Sequence, residues 1–417
     1  MKVKTQTAVI IAIGLLCGPP GARAVEPEPP PASLSALLDE ALAGNPEILS
    51  FKQRWNAAKE EIPQARSLDD PQLIFTQWSI PSNFNLAGAD ESWYGIGQSL
   101  PFPGKRSLKG TIAAKASEAA EQEYRAKILE ITARVKAAYY QLFLIQQSRD
   151  LHLEHQALRE EFIRIANQKY AVGQASQQEL LKAQVELSKL HNSLLVLEQE
   201  QASAAAELNS LLNRPPGASF GRIKEPVYRP FDQAIDGLTA QALQNRPELK
   251  AASFMIEQSE RARALAKKNY LPDFMVELMY WDVHGGSNKW QTNVKMTLPW
   301  IFTGKYAARA RQTDAQAAQA RAEQAALHNQ TLFELRDLFT QVKTAEQLID
   351  MYRHGVLPQA EQSLKSARIG YQTGKVDFLS LIDGERTLLD LQLEYAGAKV
   401  QFWQAIARLE RSVGTAF

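Results

Sequence analysis

The chain consists of two copies of one sequence pattern. Three separated landmarks recur at a single offset of 201 positions, which is the distance from Tyr170 to Tyr371. These landmarks are Asn45-Pro46-Glu47 with Arg246-Pro247-Glu248, Pro71 with Pro272, and Tyr170 and Gly173 with Tyr371 and Gly374. A chain of 417 residues is also longer than one hydrophobic core usually organises. The duplication therefore predicts one repeat over 37–214 and a second over 237–417, joined by a proline-rich linker at 215–236.

Each repeat ends in two unusually long helices. In the first repeat no proline occurs between Gly104 and Leu212, and Gly173 separates two long runs of helix-forming residues. The predicted long helices cover about 105–169, 177–213, 305–370 and 377–413. At 1.5 Å of rise per residue the first of them would be roughly 100 Å long, far beyond the helices of a compact domain.

Helices of this length must pack side by side along their length. Apolar residues spaced alternately three and four apart in the first long helix are Ile128, Ile131, Val135, Ala138, Leu142 and Ile145. This spacing predicts a coiled-coil seam. An ordinary helical bundle would show the same periodicity, so the seam alone does not decide the architecture.

Two strand-like runs precede the long helices in each repeat. The predicted strands cover about 72–80, 93–101, 273–282 and 290–299. Their length is that of a tilted strand crossing a bilayer, about 9–11 residues. Aromatic residues collect at the ends of the runs, as at the two interfaces of a membrane, and these are Trp78, Trp93, Tyr94, Tyr280, Trp281, Trp290 and Trp300. Two soluble hairpins packed on helices are the alternative interpretation.

The N-terminus is predicted to be a signal peptide. Basic Lys2 and Lys4 precede an apolar run, and Ala22-Arg23-Ala24 fits a cleavage site, so residues 1–24 form the signal and 25–36 a proline-rich arm. Cys17 is the single cysteine. Lipidation of this cysteine is the alternative, but its neighbour Leu16 is larger than lipoprotein processing prefers. We expect plain cleavage and a mature chain without disulfides.

Membrane strands in this chain would need partners from other chains. No later stretch reaches about 18 consecutive apolar residues, so strands are the candidates for crossing a membrane. In hydrocarbon every backbone N–H and C=O group must be paired, which excludes an open sheet of four strands. Three chains would supply twelve strands and an open channel. Two chains would supply eight strands around a lumen filled by side chains, so a homotrimer is the simplest assembly that conducts.

In these features the chain resembles the TolC family of outer-membrane factors, and within it the CzcC-like heavy-metal efflux branch. The motifs that carry the resemblance are Leu100-Pro101-Phe102-Pro103-Gly104-Lys105, Leu298-Pro299 with Gly304-Lys305, and the paired turns Tyr170-Ala171-Val172-Gly173 and Tyr371-Gln372-Thr373-Gly374. The resemblance implies a mainly α fold with a small membrane β portion. In it a trimeric twelve-stranded barrel in outer-membrane lipid continues into a long α-helical barrel in the periplasm. It also implies a passive export channel that works with a periplasmic adaptor and an RND-type inner-membrane pump, here for heavy-metal cations.

The resemblance further implies a gate at the periplasmic end. The family has a tyrosine before the second turn, which matches Tyr371, and two acidic positions that fall on Ser380 and Asp383. Since Ser380 is not acidic, Asp377 is the candidate for the second ring of negative charge. The alternative is that Asp377 is a helix N-cap and Asp383 a solvated helix residue.

The turns between the long helices are the candidate adaptor contacts. A reversing helix needs a residue with positive φ, which glycine adopts readily, so Gly173 and Gly374 are expected to have this conformation. By resemblance the adaptor meets the turns, and its candidate contacts are Val172, Gly173, Thr373 and Gly374.

The sequence gives little support for other kinds of function. The 47 basic and 46 acidic residues form no block of like charge, so no nucleic-acid partner is expected. His152 and His155 could share a metal, but without a third ligand we interpret them as solvated, and we expect no metal, cofactor or enzymatic activity. The alternatives that remain are a type I protein-secretion duct and a periplasmic coiled-coil scaffold without a pore.

Overall fold

The computed structural model describes residues 33–415 and 417. The predicted signal peptide at 1–24, with Cys17, and most of the predicted arm lie outside the described residues. The first repeat contains α1 (Leu34–Gly44), α2 (Pro46–Arg66), β1 (Gln72–Trp78), β2 (Glu91–Leu100), α3 (Lys105–Ala171) and α4 (Gln177–Leu211). The second contains α5 (Ile235–Asn245), α6 (Pro247–Lys268), β3 (Phe274–Val283), β4 (Lys289–Met296), α7 (Thr303–Met351), α8 (Leu357–Gln372) and α9 (Phe378–Val413). The molecule is thus mainly α-helical with a small β portion.

The second repeat departs from the predicted continuous helix over 305–370. A π-helical turn at Tyr352–Val356 separates α7 from α8. Its cause is Pro358, which lacks an N–H and whose ring would clash with the carbonyl four residues earlier. The wider turn accommodates the proline without ending the helical rod.

The Asn45 and Arg246 landmarks fix the corner at which each repeat begins. The Asn45 side chain accepts the N–H groups of Glu47 at 2.9 Å and Ile48 at 3.2 Å, and thereby caps α2. Its amide donates to the Leu211 carbonyl at 2.8 Å, which fastens this corner to the end of α4. The Arg246 side chain does not cap α6, but it donates to Glu334 on α7 at 2.8 Å and thereby fastens the corresponding corner of the second repeat.

The four strands form one antiparallel sheet in the order β1-β2-β3-β4. The central pair, β2 and β3, joins the two repeats, with Tyr94 opposite Tyr280. Within the described chain β1 and β4 are the two edges, and each has one side without a partner strand.

The two faces of the sheet differ in chemistry. One face is apolar and exposed, and it carries Leu73, Phe75, Tyr94, Ile96, Leu278, Trp290, Val294 and Met296. On the other face Glu277 is only 3% exposed, forms a salt bridge with Lys295 and accepts a hydrogen bond from Asn293 at 3.4 Å. This is the alternation of a sheet with one apolar and one polar environment.

Three of the predicted interfacial aromatics lie on the polar face. Trp78, Trp93 and Trp281 stack in a row across β1, β2 and β3, with ring centroids 6.0 Å and 4.4 Å apart. The register places Tyr94, Tyr280 and Trp290 on the opposite, apolar face. These rings therefore lie near strand ends, as predicted, but on two different faces of the sheet.

The long helices are held by two hydrophobic clusters. The larger one surrounds α3 and α9 and includes the fully buried Val135, Leu142 and Leu409. The predicted seam residues Ile131, Val135, Ala138, Leu142 and Ile145 all belong to it. The second cluster lies near the helix turns and is centred on Phe162, Phe378 and Leu381. Full burial of such side chains stabilises the fold by about 1.5–3 kcal/mol each.

Among the described residues no helix combines the length and the apolar character needed to cross a membrane.

Candidate functional site

The two helical hairpins reverse direction at the same end of the molecule. Gly173 between α3 and α4 has φ of 73°, and Gly374 between α8 and α9 has φ of 77°, so the expected positive φ is confirmed at both. Each glycine N–H donates to the carbonyl of the tyrosine three residues earlier, at 3.0 Å for Tyr170 and 3.2 Å for Tyr371. These bonds use carbonyls that the helix end would otherwise leave unpaired.

The candidate adaptor contacts lie on these turns. Val172 is 68% exposed, which is a large solvent exposure for a branched apolar side chain. The Thr373 hydroxyl instead donates back to the Ile369 carbonyl at 3.0 Å and helps to close the last turn of α8. An adaptor contact at Val172, Gly173, Thr373 and Gly374 stays a prediction.

Tyr371 is buried where the two hairpins meet. It is 3% exposed, and its ring packs edge-on against Phe378 with centroids 5.4 Å apart. Its hydroxyl donates to Glu179 Oε2 on α4 at 3.3 Å, and its carbonyl accepts from the Lys169 ammonium of α3. Burial, and then the Glu179 carboxylate, raise the pKa of Tyr371 to about 12. The phenol thus stays a neutral donor that ties α8 to α4.

Glu179 is a partner that sequence analysis missed. It is the third residue of α4 and forms a capping box with Ser176. The pattern Ser-x-x-Glu after the glycine turn is visible in the sequence and marks this helix start. What it cannot show is that the second carboxylate oxygen points toward Tyr371 on another helix.

Asp377 and Ser380 form the N-terminal cap of α9. An Asp377 oxygen accepts the Ser380 N–H at 2.9 Å, so the N-cap alternative describes this aspartate correctly. The side-chain and backbone hydrogen bonds from Ser380 lower the pKa of Asp377. A carboxylate in this position keeps its negative charge, so capping does not remove it as a source of charge in a pore.

Asp383 lies one turn further along α9, where it is exposed. It borders a groove of about 480 Å³ between α4 and α9, together with Lys182, Leu181, Ile382 and Arg386. The structure therefore brings Tyr371, Asp377 and Ser380 together at one turn and places Asp383 on the adjoining groove. Their role as a gate stays a prediction.

A buried polar cluster lies between the hairpins, further from the turns. Glu385 of α9 is fully buried and accepts from Arg159 Nε at 2.8 Å, and it lies 2.6 Å from His155 Nδ1, both on α3. Arg159 also donates to the Glu186 carbonyl on α4 at 2.8 Å. The interpretation of His155 as a solvated residue is wrong, because its ring is 1% exposed. The spacing of residues along α3 does not indicate that His155 contacts Glu385, which is 230 residues away in the sequence.

No group of three or more metal-capable side chains occurs among the described residues.

The comparisons with known proteins cover almost the whole described chain. The family model described as outer membrane efflux protein matches residues 37–214 and 238–415. The chain belongs to the outer membrane efflux protein family. It is 24% identical to the cobalt-zinc-cadmium resistance protein CzcC of Cupriavidus metallidurans, over 92% of this chain and 90% of that protein. It is 20% identical to outer membrane protein TolC of Vibrio cholerae, over 92% of this chain and 91% of that one.

Solved structures show the same fold. The CmeC outer membrane channel of Campylobacter jejuni matches with a TM-score of 0.80 at 16% identity, over 96% of this chain and 94% of that one. The outer membrane protein VceC of Vibrio cholerae matches with a TM-score of 0.79 at 20% identity, over 92% and 96%.

The predicted TolC-type resemblance is confirmed by the family match, and CzcC, the relative that the predicted branch is named after, is among the similar proteins. This outer membrane efflux protein is a channel component with a long periplasmic helical portion, and it is not an enzyme. Members of the family are trimeric channels that work with an adaptor and an inner-membrane pump.

Proposed function

We propose that three copies of this chain form the outer-membrane exit channel of a tripartite efflux system. The observation that carries the proposal is the four-stranded sheet. One of its faces is apolar and exposed, and within the described residues its edge strands β1 and β4 each have one side without a partner strand. Such a sheet in hydrocarbon needs its edge N–H and C=O groups paired, and neighbouring copies supply the pairing in a twelve-stranded barrel. The long helices then continue the pore into the periplasm.

The helix turns form the closed periplasmic end in this proposal. The Tyr371 hydroxyl donates a hydrogen bond to Glu179, which links α8 to α4. The Tyr371 carbonyl accepts a hydrogen bond from Lys169, which links α8 to α3. Three copies of Asp377 and Asp383 around a narrow opening would bring like charges together. Opening requires the α8–α9 hairpin to move away from α4, which breaks the Tyr371 hydrogen bond.

The partners in the proposal are a periplasmic adaptor and an RND-type pump. The exposed Val172 and the two glycine turns offer the adaptor a compact surface at the end of the helices. The proposed cargo is divalent heavy-metal cations, and the support for it is the similarity to the cobalt-zinc-cadmium resistance protein.

Channel recordings test the proposal. Reconstituted trimers should conduct in discrete steps, and Y371F, D377N and D383N should each raise the conductance because they remove a tie or a charge at the closed end. The matched control is D390N, since Asp390 is exposed on the same helix, and it should leave the conductance unchanged. A chain that stays monomeric in detergent and never conducts would refute the channel.

The cargo is tested separately in a deletion strain. Loss of the protein should sensitise cells to cobalt, zinc or cadmium more than to organic drugs, and the intact gene should restore resistance. If the deletion strain keeps its metal tolerance but fails to export a protein, the metal cargo is wrong and the protein-secretion alternative is favoured.

A further inference from the structure

The internal duplication specifies how two copies of the chain meet. Inside one chain the repeats join where β2 of the first pairs with β3 of the second. The open edges are β1, the first-repeat counterpart of β3, and β4, the second-repeat counterpart of β2. The open strands β1 and β4 are therefore the repeat counterparts of β3 and β2, which already pair with each other within the chain.

Sequence landmarks next to the strands align the counterparts residue by residue. Pro71 and Pro272 precede β1 and β3, so Phe75 corresponds to Val276. Leu100-Pro101 lies at the end of β2 and Leu298-Pro299 just after β4, so Met296 corresponds to Gln98. Within the chain Gln98 lies directly opposite Val276.

We propose that β4 of one copy pairs antiparallel with β1 of the next copy, with Met296 opposite Phe75. The same register sets Leu298 opposite Leu73 and Val294 opposite Gln77. This proposal rests on the trimeric channel proposed above and adds to it the residue contacts between subunits.

The faces of the two edge strands agree with this register. Phe75 and Met296 both belong to the exposed apolar face, at 61% and 47% exposure. A slip by one residue would turn the apolar side chains of one strand toward the polar face of the other. A slip by two residues would preserve the faces, so a second contact must decide between those registers.

The charges beside the strands supply that second contact. Lys105 Nζ at the start of α3 donates to the Leu271 carbonyl at 2.8 Å and to Asp273 Oδ1 at 2.9 Å. Its counterpart Lys305 is exposed and has no ion pair within the described residues. The counterparts of Leu271 and Asp273 are Asp70 and Gln72, at the beginning of the open β1 edge.

Unpaired charges of opposite sign thus lie at the two open edges. Asp69 and Asp70 are exposed and form no salt bridge in the part of the chain that the structure describes. In the proposed register Lys305 of one copy lies against Asp70 and Gln72 of the next. A slip of two residues would displace it by about 7 Å along the strand.

Disulfide cross-linking between subunits tests the register. The pair M296C with F75C should cross-link, whereas M296C with L73C and M296C with Q77C are controls on the same face, slipped by two residues. Facing residues have Cβ atoms about 4.5–5.5 Å apart and diagonal neighbours about 7–8 Å, and a disulfide needs close Cβ atoms. Every variant carries C17S, so that no other cysteine is present.

After mild oxidation of membranes, non-reducing gels should show linked dimers and trimers for the M296C/F75C pair at a yield at least about five-fold above either control. A control pair that links most strongly, in a variant that still forms conducting trimers, would overturn the register while the channel stands. No linkage in any variant, together with monomers that never conduct, would overturn both the register and the channel.

Discussion

Gly173 and Gly374 end the two long hairpin helices in a backbone conformation where a Cβ would crowd the following carbonyl. Nothing lies within 4 Å of a Cβ added at either glycine, so the cost of alanine there comes from the backbone alone. G173A and G374A should each lower the free energy of unfolding by about 1–2 kcal/mol. Denaturant unfolding followed by circular dichroism measures this change.

The control for these glycines lies inside α9. Gly397 also has open space around an added Cβ, and its φ is not positive. G397A should therefore stabilise the protein by about 0.5–1 kcal/mol, the difference between glycine and alanine within a helix. Equal effects at Gly173 and Gly397 would contradict the assignment of strain to the turns.

Because of Tyr371, the stability of the helix turns should depend on pH in the alkaline range. Its pKa is raised from 10.0 to about 12 by burial and by Glu179, so folding favours the protonated phenol. The stability from this group is fully present below pH 10 and is lost as the pH rises through about 12. Y371F should therefore weaken the alkaline fall in thermal stability. Y170F, at an exposed tyrosine of the other turn, is the matched control and should reproduce the wild-type curve.

At the scale of elements, the Glu385 cluster ties three long helices together. The carboxylate of α9 meets Arg159 and His155 of α3, and Arg159 continues to α4. E385Q keeps the shape of the side chain but removes the carboxylate that lies 2.8 Å from the buried Arg159, which then has only the Glu186 carboxylate, 4.0 Å away, as a counter-charge. Removal of one partner from a buried ion pair is strongly destabilising, so we expect a loss of about 3 kcal/mol.

Thermal unfolding and protease sensitivity of the helices measure the effect of E385Q. D390N alters an exposed carboxylate five residues along the same helix and should change stability by less than about 0.5 kcal/mol. Similar losses in both variants would mean that the cluster contributes only surface charge.

Local periodicity predicted the elements better than their partners. The seam around Val135 and the strand faces follow from spacings of 3.6 and 2 residues, which the chain shows directly. The break before Pro358 follows from a proline that the overall helical pattern obscured. The contacts of His155 and Glu179 depend on residues about 200 positions away, and no local pattern encodes such distances.

At the scale of the whole molecule, the sheet must face two different environments. Leu278, in the middle of β3, belongs to the apolar face and is 44% exposed in the single chain. Gln291 is opposite Met279 on the other face of the sheet, at nearly the same level along the strands. If three sheets close into a barrel in the outer membrane, the first side chain meets lipid and the second meets the pore.

Arginine at these two positions should therefore have opposite consequences. On the lipid face near the bilayer midplane it costs about 2–4 kcal/mol per chain, and a trimer carries it three times. L278R should sharply reduce the amount of folded trimer in outer-membrane fractions, measured by heat-modifiable migration on gels. Q291R should assemble normally and change the ion selectivity of the channel instead, because a charge in the pore lumen stays hydrated. If L278R assembles normally and Q291R does not form folded trimers, the apolar face does not meet lipid.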